Sequence, residues 1–407
     1  MKILVICQYY YPEPFRINTL CEEMVRRGHE VLVVTGEPNY PEGKIYEGYK
    51  NHQHADEVVR DVRVHRCPII PRKTGTLYRI LNYYSYPFEA KRFVLSKNCI
   101  ASDGKPFDVV FVNQLSPVMM AEPAIAYKQK YNVPILLYCL DLWPESLLAG
   151  GIKRQSVPYK YFHSVSKNIY TKIDCILVTS KLFKNYLHKE FSVSKDKIVY
   201  LPQYAETVFK ELSPCYNNSM TNLVFAGNIG NVQNVETILY AAEELTDKPV
   251  RFHIVGGGTD LERLQKITIQ KKLKNVQFYG RRPLEEMPSF YEKADAMLIT
   301  LKADPVLSLT LPGKIQSYMA AGKPIIGAID GEAAEIIKTA ECGFVGKAEN
   351  VEQLVKNIKL FLDCNNQEKI DFGKRARSFY ESYFSEMQFM DKLEATIKKV
   401  CTINETI

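Results

Sequence analysis

The sequence has no hydrophobic run that could cross a membrane and no pairing pattern among its cysteines. A membrane-spanning helix needs roughly 18 to 20 apolar residues, and no run approaches that length. After Met1-Lys2 the apolar run covers only Ile3–Ile6 before polar Gln8, unlike a secretory signal peptide. The 10 cysteines are scattered singly without a C-x-x-C pair, as expected for reduced thiols. These absences predict a cytoplasmic protein without disulfides.

Several common catalytic motifs are also missing. There is no Walker A sequence and no G-x-S-x-G, so ATP hydrolysis is not expected. Gly256-Gly-Gly258 lacks the full G-x-G-x-x-G spacing, which makes it weak evidence for a dinucleotide site. His52, His54 and Asp56 could bind a metal, but a solvated loop is favoured because no further ligand cluster adjoins them. We expect no metal or cofactor, while a nucleotide bound by backbone groups remains open.

Positive charge is concentrated in one segment of the chain. The net charge is only +7, yet residues 60–97 contain just Asp61 and Glu89 as acids, and aromatic residues alternate with cations across 72–97. Such a segment can lie on an anionic bilayer or bind nucleic acid. It can also form a helix with a solvated basic face and an aromatic core face. Nucleic acid is the least favoured partner, and none is expected.

Length and periodicity predict an α/β fold with two domains. The chain has 407 residues, which is too long for one core. A strand at Lys2–Cys7, a helix from Ile17 and a strand at Glu30–Thr35 open a parallel, doubly wound sheet. Residues 58–64 are predicted as one strand and 233–245 as one helix.

A second series of strands and helices begins after Leu201. We therefore predict a Rossmann-like N-terminal domain over 1–203, a linker over 204–220 and a second Rossmann-like domain over 221–385. A C-terminal helix over 386–407 is expected to pack back towards the N-terminal domain. Two such domains facing each other would leave a cleft, which is a natural place for a ligand.

The stretch Leu311-Pro-Gly-Lys314 is the best candidate for a phosphate site. Pro312 suits the first position of a helix, Gly313 allows close approach of a ligand, and Lys314 adds a cation beside the free N–H groups. A helix start of this kind can bind a diphosphate. The alternative is an ordinary turn with a surface lysine, and this stretch alone does not decide between them.

A series of fragments along most of the chain resembles one enzyme family. They are Tyr10-Tyr-Pro12, Arg27-Gly-His-Glu-Val31, Asn39-Tyr-Pro41, Asp141-Leu-Trp-Pro-Glu-Ser146, Phe225-Ala-Gly-Asn-Ile-Gly230, Leu311-Pro-Gly-Lys314, Tyr318-Met-Ala-Ala-Gly-Lys-Pro324 and Gly331-Glu-Ala-Ala-Glu335. In this order they resemble the retaining GT-B-fold glycosyltransferases of family GT4. The greatest likeness is to the bacterial N-acetyl-L-fucosamine transferases of O-antigen and capsule assembly. The resemblance implies a UDP-sugar donor, a polyprenyl-diphosphate-linked saccharide acceptor and chemistry without a metal.

The resemblance also implies a donor site in the second domain. Many relatives carry an Arg and a Lys where Asn228 and Asn234 stand, and two glutamates where Leu309 and Ser317 stand. Electrostatic stabilisation of the diphosphate then falls to Lys314. The expected donor-binding residues are Arg16, Gly227, Asn228, Gly230, Gly256, Gly257, Arg281, Leu311, Pro312, Gly313, Ser317, Glu332 and Glu335, with Arg282 as a catalytic helper. Glu335 or Glu332 would bind the ribose, or else serve as a first-turn glutamate favoured by the helix dipole.

The acceptor is expected on the first domain. Asp141 follows a buried strand and is predicted to be catalytic, either accepting the acceptor's proton or orienting the donor sugar. Its alternative is a turn or N-cap residue. The expected acceptor-binding residues are Phe15, Asn39, Tyr40, Trp143 and Glu145, although core packing is the competing interpretation of Trp143.

The resemblance places the protein on the inner face of the cell membrane, docked through about residues 72–97. Two other functions remain open at this point. One is an epimerase acting on UDP-N-acetylglucosamine, although the cleft of such enzymes is more acidic and richer in His. The other is a catalytically silent protein that binds a sugar nucleotide or a membrane, which the missing glutamates keep open.

Overall fold

The computed structural model describes residues 1–71, 75–149, 151–209, 212 and 220–406. Arg72 and Lys73 of the basic segment, and most of the predicted linker, lie outside these residues. The chain divides into two compact units. The first contains Met1–Thr179, Phe183–Leu201 and Leu393–Ile407, and the second contains Ser180–Leu182 and Pro202–Lys392.

The first unit is built on an eight-stranded sheet within the described residues, ordered β3-β4-β2-β1-β5-β6-β7-β8. Its strands are β1 (Lys2–Ile6), β2 (Glu30–Gly36), β3 (Asp56–Val59), β4 (Val62–Cys67), β5 (Val109–Gln114), β6 (Ile135–Cys139), β7 (Cys175–Val178) and β8 (Ile198–Tyr200). The central strands are buried on both faces, which explains their continuous apolar runs. The strand order reverses between β1 and β5, so the loops after these strands lie where such sheets bind ligands.

Helices cover the sheet along this part of the chain. They are α1 (Ile17–Arg26), α2 (Thr76–Val94), α3 (Glu122–Tyr131), α4 (Ser146–Ala149), α5 (Val157–Tyr170) and α6 (Lys181–Phe191). On α2, Tyr86 is fully buried, and its hydroxyl donates to the carbonyl of Val34 at 2.8 Å. The aromatic residues of this basic segment therefore contribute in part to the core.

The predicted single strand over 58–64 is wrong. Residues Arg60 and Asp61 have φ values of 48° and 67°, and they turn the chain so that β3 and β4 pair antiparallel. Two successive residues in the left-handed region fit the right-handed twist of a two-residue hairpin. Valines lie on both sides of this charged pair, so the apolar residues of 58–64 read as one strand although the chain reverses between them.

The second unit contains a parallel sheet ordered β11-β10-β9-β12-β13-β14. Its strands are β9 (Thr221–Ala226), β10 (Val250–Val255), β11 (Val276–Gly280), β12 (Ala296–Thr300), β13 (Ile325–Ala328) and β14 (Gly343–Gly346). The helices are α7 (Glu236–Glu244), α8 (Leu261–Gln270), α9 (Met287–Lys293), α10 (Lys314–Ala320), α11 (Glu332–Thr339), α12 (Val351–Asp363), α13 (Asn366–Tyr383) and α14 (Glu386–Thr406). The order reverses between β9 and β12, which predicts a ligand site beyond their carboxyl ends.

Two further features complete the fold. The predicted helix over 233–245 is interrupted, because Asn234 has φ of 45° and separates a short 3₁₀ turn from α7. Helix α14 begins in the second unit, and its residues from Leu393 belong to the first, where the Asn404 side chain donates to the carbonyl of Asn132 at 2.8 Å. Among the helices described, none is long and apolar enough to span a bilayer. The two sheets, which are parallel except for the β3–β4 pair, confirm the predicted α/β class.

Candidate active site

In the second unit, two glycine loops meet beyond the ends of β9 and β10. A Cβ atom on Gly256 would lie 1.8 Å from the carbonyl oxygen of Gly227, and one on Gly258 would lie 2.2 Å from that of Ile229. Both glycines also have φ near +150°, a conformation that other residues rarely adopt. Close packing of one loop against the other therefore accounts for these glycines.

Lys314 reaches this junction from the start of α10. Its Nζ lies 4.0 Å from the centre of the Phe225 ring and would be 2.9 Å from a Cβ on Gly227. This Nζ is inaccessible to solvent and makes no hydrogen bond within the described part of the chain. Burial lowers the pKa of Lys314 to about 7. An ammonium group desolvated in this way is costly unless an anion pairs with it.

The position of α10 is set by Tyr318, a residue that the sequence pattern did not single out. The Tyr318 hydroxyl donates to the carbonyl of Ala226 at 3.1 Å and accepts the Ala226 N–H at 3.2 Å. A contact of 3.3 Å to the carbonyl of Leu298 ties the same hydroxyl to β12. Because β9 and β12 flank the reversal in strand order, these bonds fix α10 and Lys314 beside it.

Several expected donor-binding residues have local partners instead. Arg282 donates to the carbonyl of Tyr279 at 3.1 Å and pairs with Glu286 at 3.6 Å, so its guanidinium is engaged on the surface. Asn228 donates to Gln233 at 3.1 Å. Arg281 is exposed, and a Cβ atom added to Gly257 would lie 3.3 Å from the Cβ atom of Arg281. The catalytic role expected for Arg282 is therefore not favoured by its contacts.

The expected ribose-binding glutamates also differ from one another. Glu335 is exposed and pairs with Lys338 at 3.0 Å, whereas Glu332 is buried and accepts the backbone N–H of Lys181 at 2.6 Å. Both line a cavity of about 380 Å³ whose lining does not include Lys314 or Ser317. Gly331 precedes them with φ of +74°, and a Cβ atom there would lie 1.8 Å from the Ser308 carbonyl oxygen. Both facts require glycine at this position.

Ser317 has a carboxylate partner that the sequence pattern did not reveal. Its hydroxyl donates to Oε2 of Glu206 at 3.0 Å, and Glu206 is 111 residues earlier in the chain. Gln203, from the same segment, lies against Gly313. The segment before β9 therefore contributes polar side chains to the start of α10.

In the first unit, Asp141 lies just beyond the end of β6. Its carboxylate accepts a hydrogen bond from Ser116, whose hydroxyl is also 3.0 Å from that of Ser146. The Asp141 carbonyl accepts the Gln114 side-chain amide at 2.9 Å. Burial raises the pKa of Asp141 above its usual range, although the hydrogen bonds oppose this shift. The loops after β5 and β6 thus present a carboxylate and two hydroxyls together.

Two of the expected acceptor residues meet in an aromatic cluster after β1. The rings of Phe15 and Tyr40 are 5.3 Å apart, and Tyr9 stacks on Phe15 at 5.2 Å. Buried Glu13 accepts the backbone N–H groups of Asn39 and Tyr40 at 2.8 and 2.6 Å. Burial raises the pKa of Glu13 to about 7. Arg16 follows this loop and directly precedes α1. Glu13 shapes the loop through its two hydrogen bonds to the backbone.

Trp143 and Glu145, which were expected to bind the acceptor, are both buried. Trp143 is 1% exposed and packs edge-on against Tyr83 and Phe162, both at 5.5 Å. Glu145 is equally buried, and its carboxylate binds Arg154 at 2.8 Å together with the hydroxyls of two tyrosines. These contacts within the first unit do not favour the expected contact with an acceptor. Within the described residues, no group of three or more His, Cys, Asp or Glu side chains could hold a metal.

Residues 15–203 match the family "Glycosyl transferase 4-like domain", and residues 217–379 match "Glycosyl transferases group 1". The putative colanic acid biosynthesis glycosyl transferase WcaI of Escherichia coli K12 is 26% identical over 405 residues, covering 92% of this chain and 96% of that protein.

Solved structures agree with this result at the level of the fold. Sucrose-phosphate synthase from Thermosynechococcus elongatus superimposes with a TM-score of 0.76 at 15% identity, covering 99% of both chains. Anabaena HepE, solved in complex with UDP and glucose, gives a TM-score of 0.69 at 13% identity and covers 98% of this chain and 99% of that one. The chain is therefore a glycosyltransferase of the GT-B fold, with a glycosyl transferase 4-like domain followed by a group 1 domain.

Proposed function

We propose that the protein transfers a sugar from a UDP-sugar to a polyprenyl-diphosphate-linked saccharide during the synthesis of a capsule or O-antigen polysaccharide. The sugar would be an N-acetylated deoxyhexosamine such as N-acetyl-L-fucosamine, transferred with retention at the anomeric carbon. The observation that carries this proposal is the buried Nζ of Lys314 beside Gly227. The names of WcaI, from colanic acid biosynthesis, and of HepE with bound UDP support it.

The proposed donor site needs a cation because the leaving diphosphate gains negative charge as the glycosidic bond breaks. Lys314 would supply that charge, and the backbone N–H groups around Leu311, Pro312 and Gly313 would approach the same phosphate oxygens. Of these three residues, Leu311 is buried and Gly313 is exposed. Gly227 permits this approach, because a side chain there would collide with the lysine. In front-side transfer the leaving oxygen takes the proton of the attacking hydroxyl, so no separate base is required. Asp141 would orient that hydroxyl or the donor sugar.

A panel of UDP-sugars, offered with a saccharide attached to a polyprenyl diphosphate, tests this proposal. We expect one UDP-sugar to yield a lengthened lipid-linked product and free UDP, with the anomeric configuration retained in the product by NMR. Inversion of the sugar configuration without transfer would instead indicate an epimerase. Binding of UDP without turnover of any sugar would indicate a catalytically silent protein, and either result would overturn the proposal.

We also propose that α2 docks the first unit on an anionic membrane surface. Leu81, Phe88 and Leu95 recur at seven-residue spacing along one face and are exposed, with Phe88 63% exposed. Lys91 and Arg92 flank this stripe, and Arg92 also pairs with Glu89 on the same helix at 3.2 Å. Nearby Tyr161 is also exposed, and its hydroxyl is 3.1 Å from that of Tyr84 on α2. An apolar stripe bordered by cations suits the interface of an anionic bilayer.

The structure reduces the charge available for this contact. Arg60, Arg63 and Arg66, which contribute to the basic segment in sequence, pair with acids from other strands and from α1. Arg66 in particular is buried, and Glu57 neutralises it. The membrane surface proposed here is therefore α2 itself and not the whole segment from residue 60.

Vesicle sedimentation distinguishes this surface from an ordinary solvated helix. We expect the protein to sediment with phosphatidylglycerol vesicles more than with phosphatidylcholine vesicles, and less at high salt because salt screens the attraction. Lys91→Glu should weaken this binding about 30-fold, since each basic residue near the surface contributes about 1 kcal/mol and the substitution reverses the charge. Phe88→Ser should weaken it at both salt concentrations.

The matched control is Ile269→Ser, which removes a residue that is 76% exposed on α8 of the second unit. This variant should sediment like the unmodified protein. Equal recovery of the protein with neutral and anionic vesicles, or equal binding by all three variants, would contradict the docking surface.

A further inference from the structure

The carboxylate of Glu206 adjoins the helix that carries Lys314. Ser317 lies three residues after Lys314 on α10, and its hydroxyl donates to Oε2 of Glu206 at 3.0 Å. Three residues of α-helix rise about 4.5 Å, so a cation and a carboxylate lie roughly one turn apart along α10. Ser317 is only 6% exposed, while Glu206 is half-buried. The carboxylate is therefore the more accessible member of this pair.

The backbone on both sides of Glu206 is anchored. Before it, the Ala205 N–H donates to the Tyr380 hydroxyl at 3.2 Å, and Ala205 is fully buried. After it, the Phe209 ring stacks on Tyr291 with centroids 4.4 Å apart, and the Phe209 N–H donates to the Glu206 carbonyl at 3.3 Å. Glu206 is consequently held in place before any ligand arrives. A preorganised group loses little conformational entropy on binding.

We infer that Glu206 binds the ribose hydroxyls of the nucleotide donor, an inference that rests on the proposed donor site at Lys314. An ionised carboxylate has two oxygens that accept hydrogen bonds, and a ribose presents two adjacent hydroxyls as donors. Such charge-assisted bonds are about twice as strong as neutral ones. Ser317 orients the carboxylate by donating to it, and so acts as a positioning residue.

The other carboxylates considered for this role fit it less well. Glu332 and Glu335 line the cavity beside Lys181, and the lining of that cavity does not include Lys314 or Ser317. Neither has a contact with α10 comparable to that of Glu206. The segment before β9 therefore supplies an acid to α10, which has no acidic residue of its own between Lys314 and Ala320.

Isothermal titration with UDP, GDP and ADP, each paired with its 2′-deoxy form, tests the inference. We expect the unmodified protein to bind at least one ribonucleotide about tenfold more tightly than its deoxy form, as loss of a hydrogen bond to a charged group implies. In Glu206→Gln and Glu206→Ala this preference should fall below about twofold. Affinity for the deoxy form should change little. Ser317→Ala should reduce the preference partially.

Glu262→Gln on α8 is the matched control, because Glu262 is exposed and remote in sequence. It should keep the full preference for ribose. A preference that survives both Glu206 substitutions would overturn the inference but leave the donor site intact. If the Glu206 substitutions weaken binding of the ribonucleotide and of its 2′-deoxy form equally, and also lower the melting temperature, then Glu206 has only a structural role and the inference fails. If the unmodified protein binds none of the diphosphates, the proposed donor site fails and the inference with it.

Discussion

Replacing Lys314 by alanine should lower kcat/KM for sugar transfer by about 100-fold or more. This is the usual effect of removing one group that stabilises charge in a transition state. Among the side chains described around Gly227, Lys314 is the cation whose Nζ is buried without a partner. Asn228 and Asn234 are neutral and bind Gln233 and Glu349. We therefore expect no neighbouring group to compensate.

Lys266→Ala is the control for this substitution, because Lys266 is exposed on α8. It should retain the kcat/KM of the unmodified protein. Steady-state rates of UDP release with saturating acceptor provide the measurement. Near-normal turnover by Lys314→Ala would show that the diphosphate does not bind at this helix start, and it would contradict the proposed function.

The same lysine should make both stability and nucleotide binding depend on pH. Burial lowers the pKa of Lys314 from 10.5 to about 7. Between these values the unfolded chain binds more protons than the folded one, so the free energy of unfolding rises with pH across this window. Lys314→Met, which removes the charge but keeps the apolar stem, should therefore be more stable than the unmodified protein near pH 7. The difference should shrink towards pH 10.

Calorimetry can detect the proton directly. A diphosphate beside Lys314 favours its charged form and raises its pKa, so binding of UDP at pH 8 should take up a substantial fraction of one proton. Titrations in two buffers that differ in ionisation enthalpy report this uptake. Lys314→Met should lose it, and equal heats in both buffers for the unmodified protein would contradict an anion at this position.

Replacing Asp141 by asparagine should lower kcat by about 100-fold while changing the affinity for UDP less than threefold. Groups that accept or hold a proton at the reacting atoms contribute factors of about 10² to 10⁴. Asparagine keeps the shape of Asp141 and an oxygen that can accept from Ser116. Because burial raises the pKa of Asp141, its charge is not stabilising to the fold, and loss of that charge should not unfold the protein.

The alternative for Asp141 is a residue that only shapes the turn after β6. Ser146→Ala separates the two, because it removes one hydroxyl that bonds to the carboxylate but keeps the carboxylate and its bond from Ser116. It should leave kcat within a few-fold of the unmodified value. Normal kcat in Asp141→Asn, accompanied by a lower melting temperature, would establish the structural alternative.

The sequence by itself determined the fold class and most of the elements. Continuous apolar runs separated by amphipathic helices specify doubly wound parallel sheets, and strands such as Val250–Val255 occur where the pattern predicts them. The sequence also identified Leu311-Pro-Gly-Lys314 as a candidate phosphate site. The preferences of proline, glycine and lysine at the start of a helix are local and do not depend on tertiary contacts. The turn at Arg60-Asp61 was missed, because its residue types are not those that usually announce a hairpin.

Only the tertiary structure decided which side chains meet at the candidate site and which are buried. The Glu206–Ser317 bond joins residues 111 apart in sequence, and the Tyr318 hydroxyl joins α10 to β9 across 92. Trp143 and Glu145 were expected from the sequence to bind the acceptor, yet packing against other helices buries both. Contacts of this kind depend on how whole elements pack, and hydrophobic periodicity records only which face of each element is buried. For Lys314, the sequence supplied the cation and the fold removed it from water.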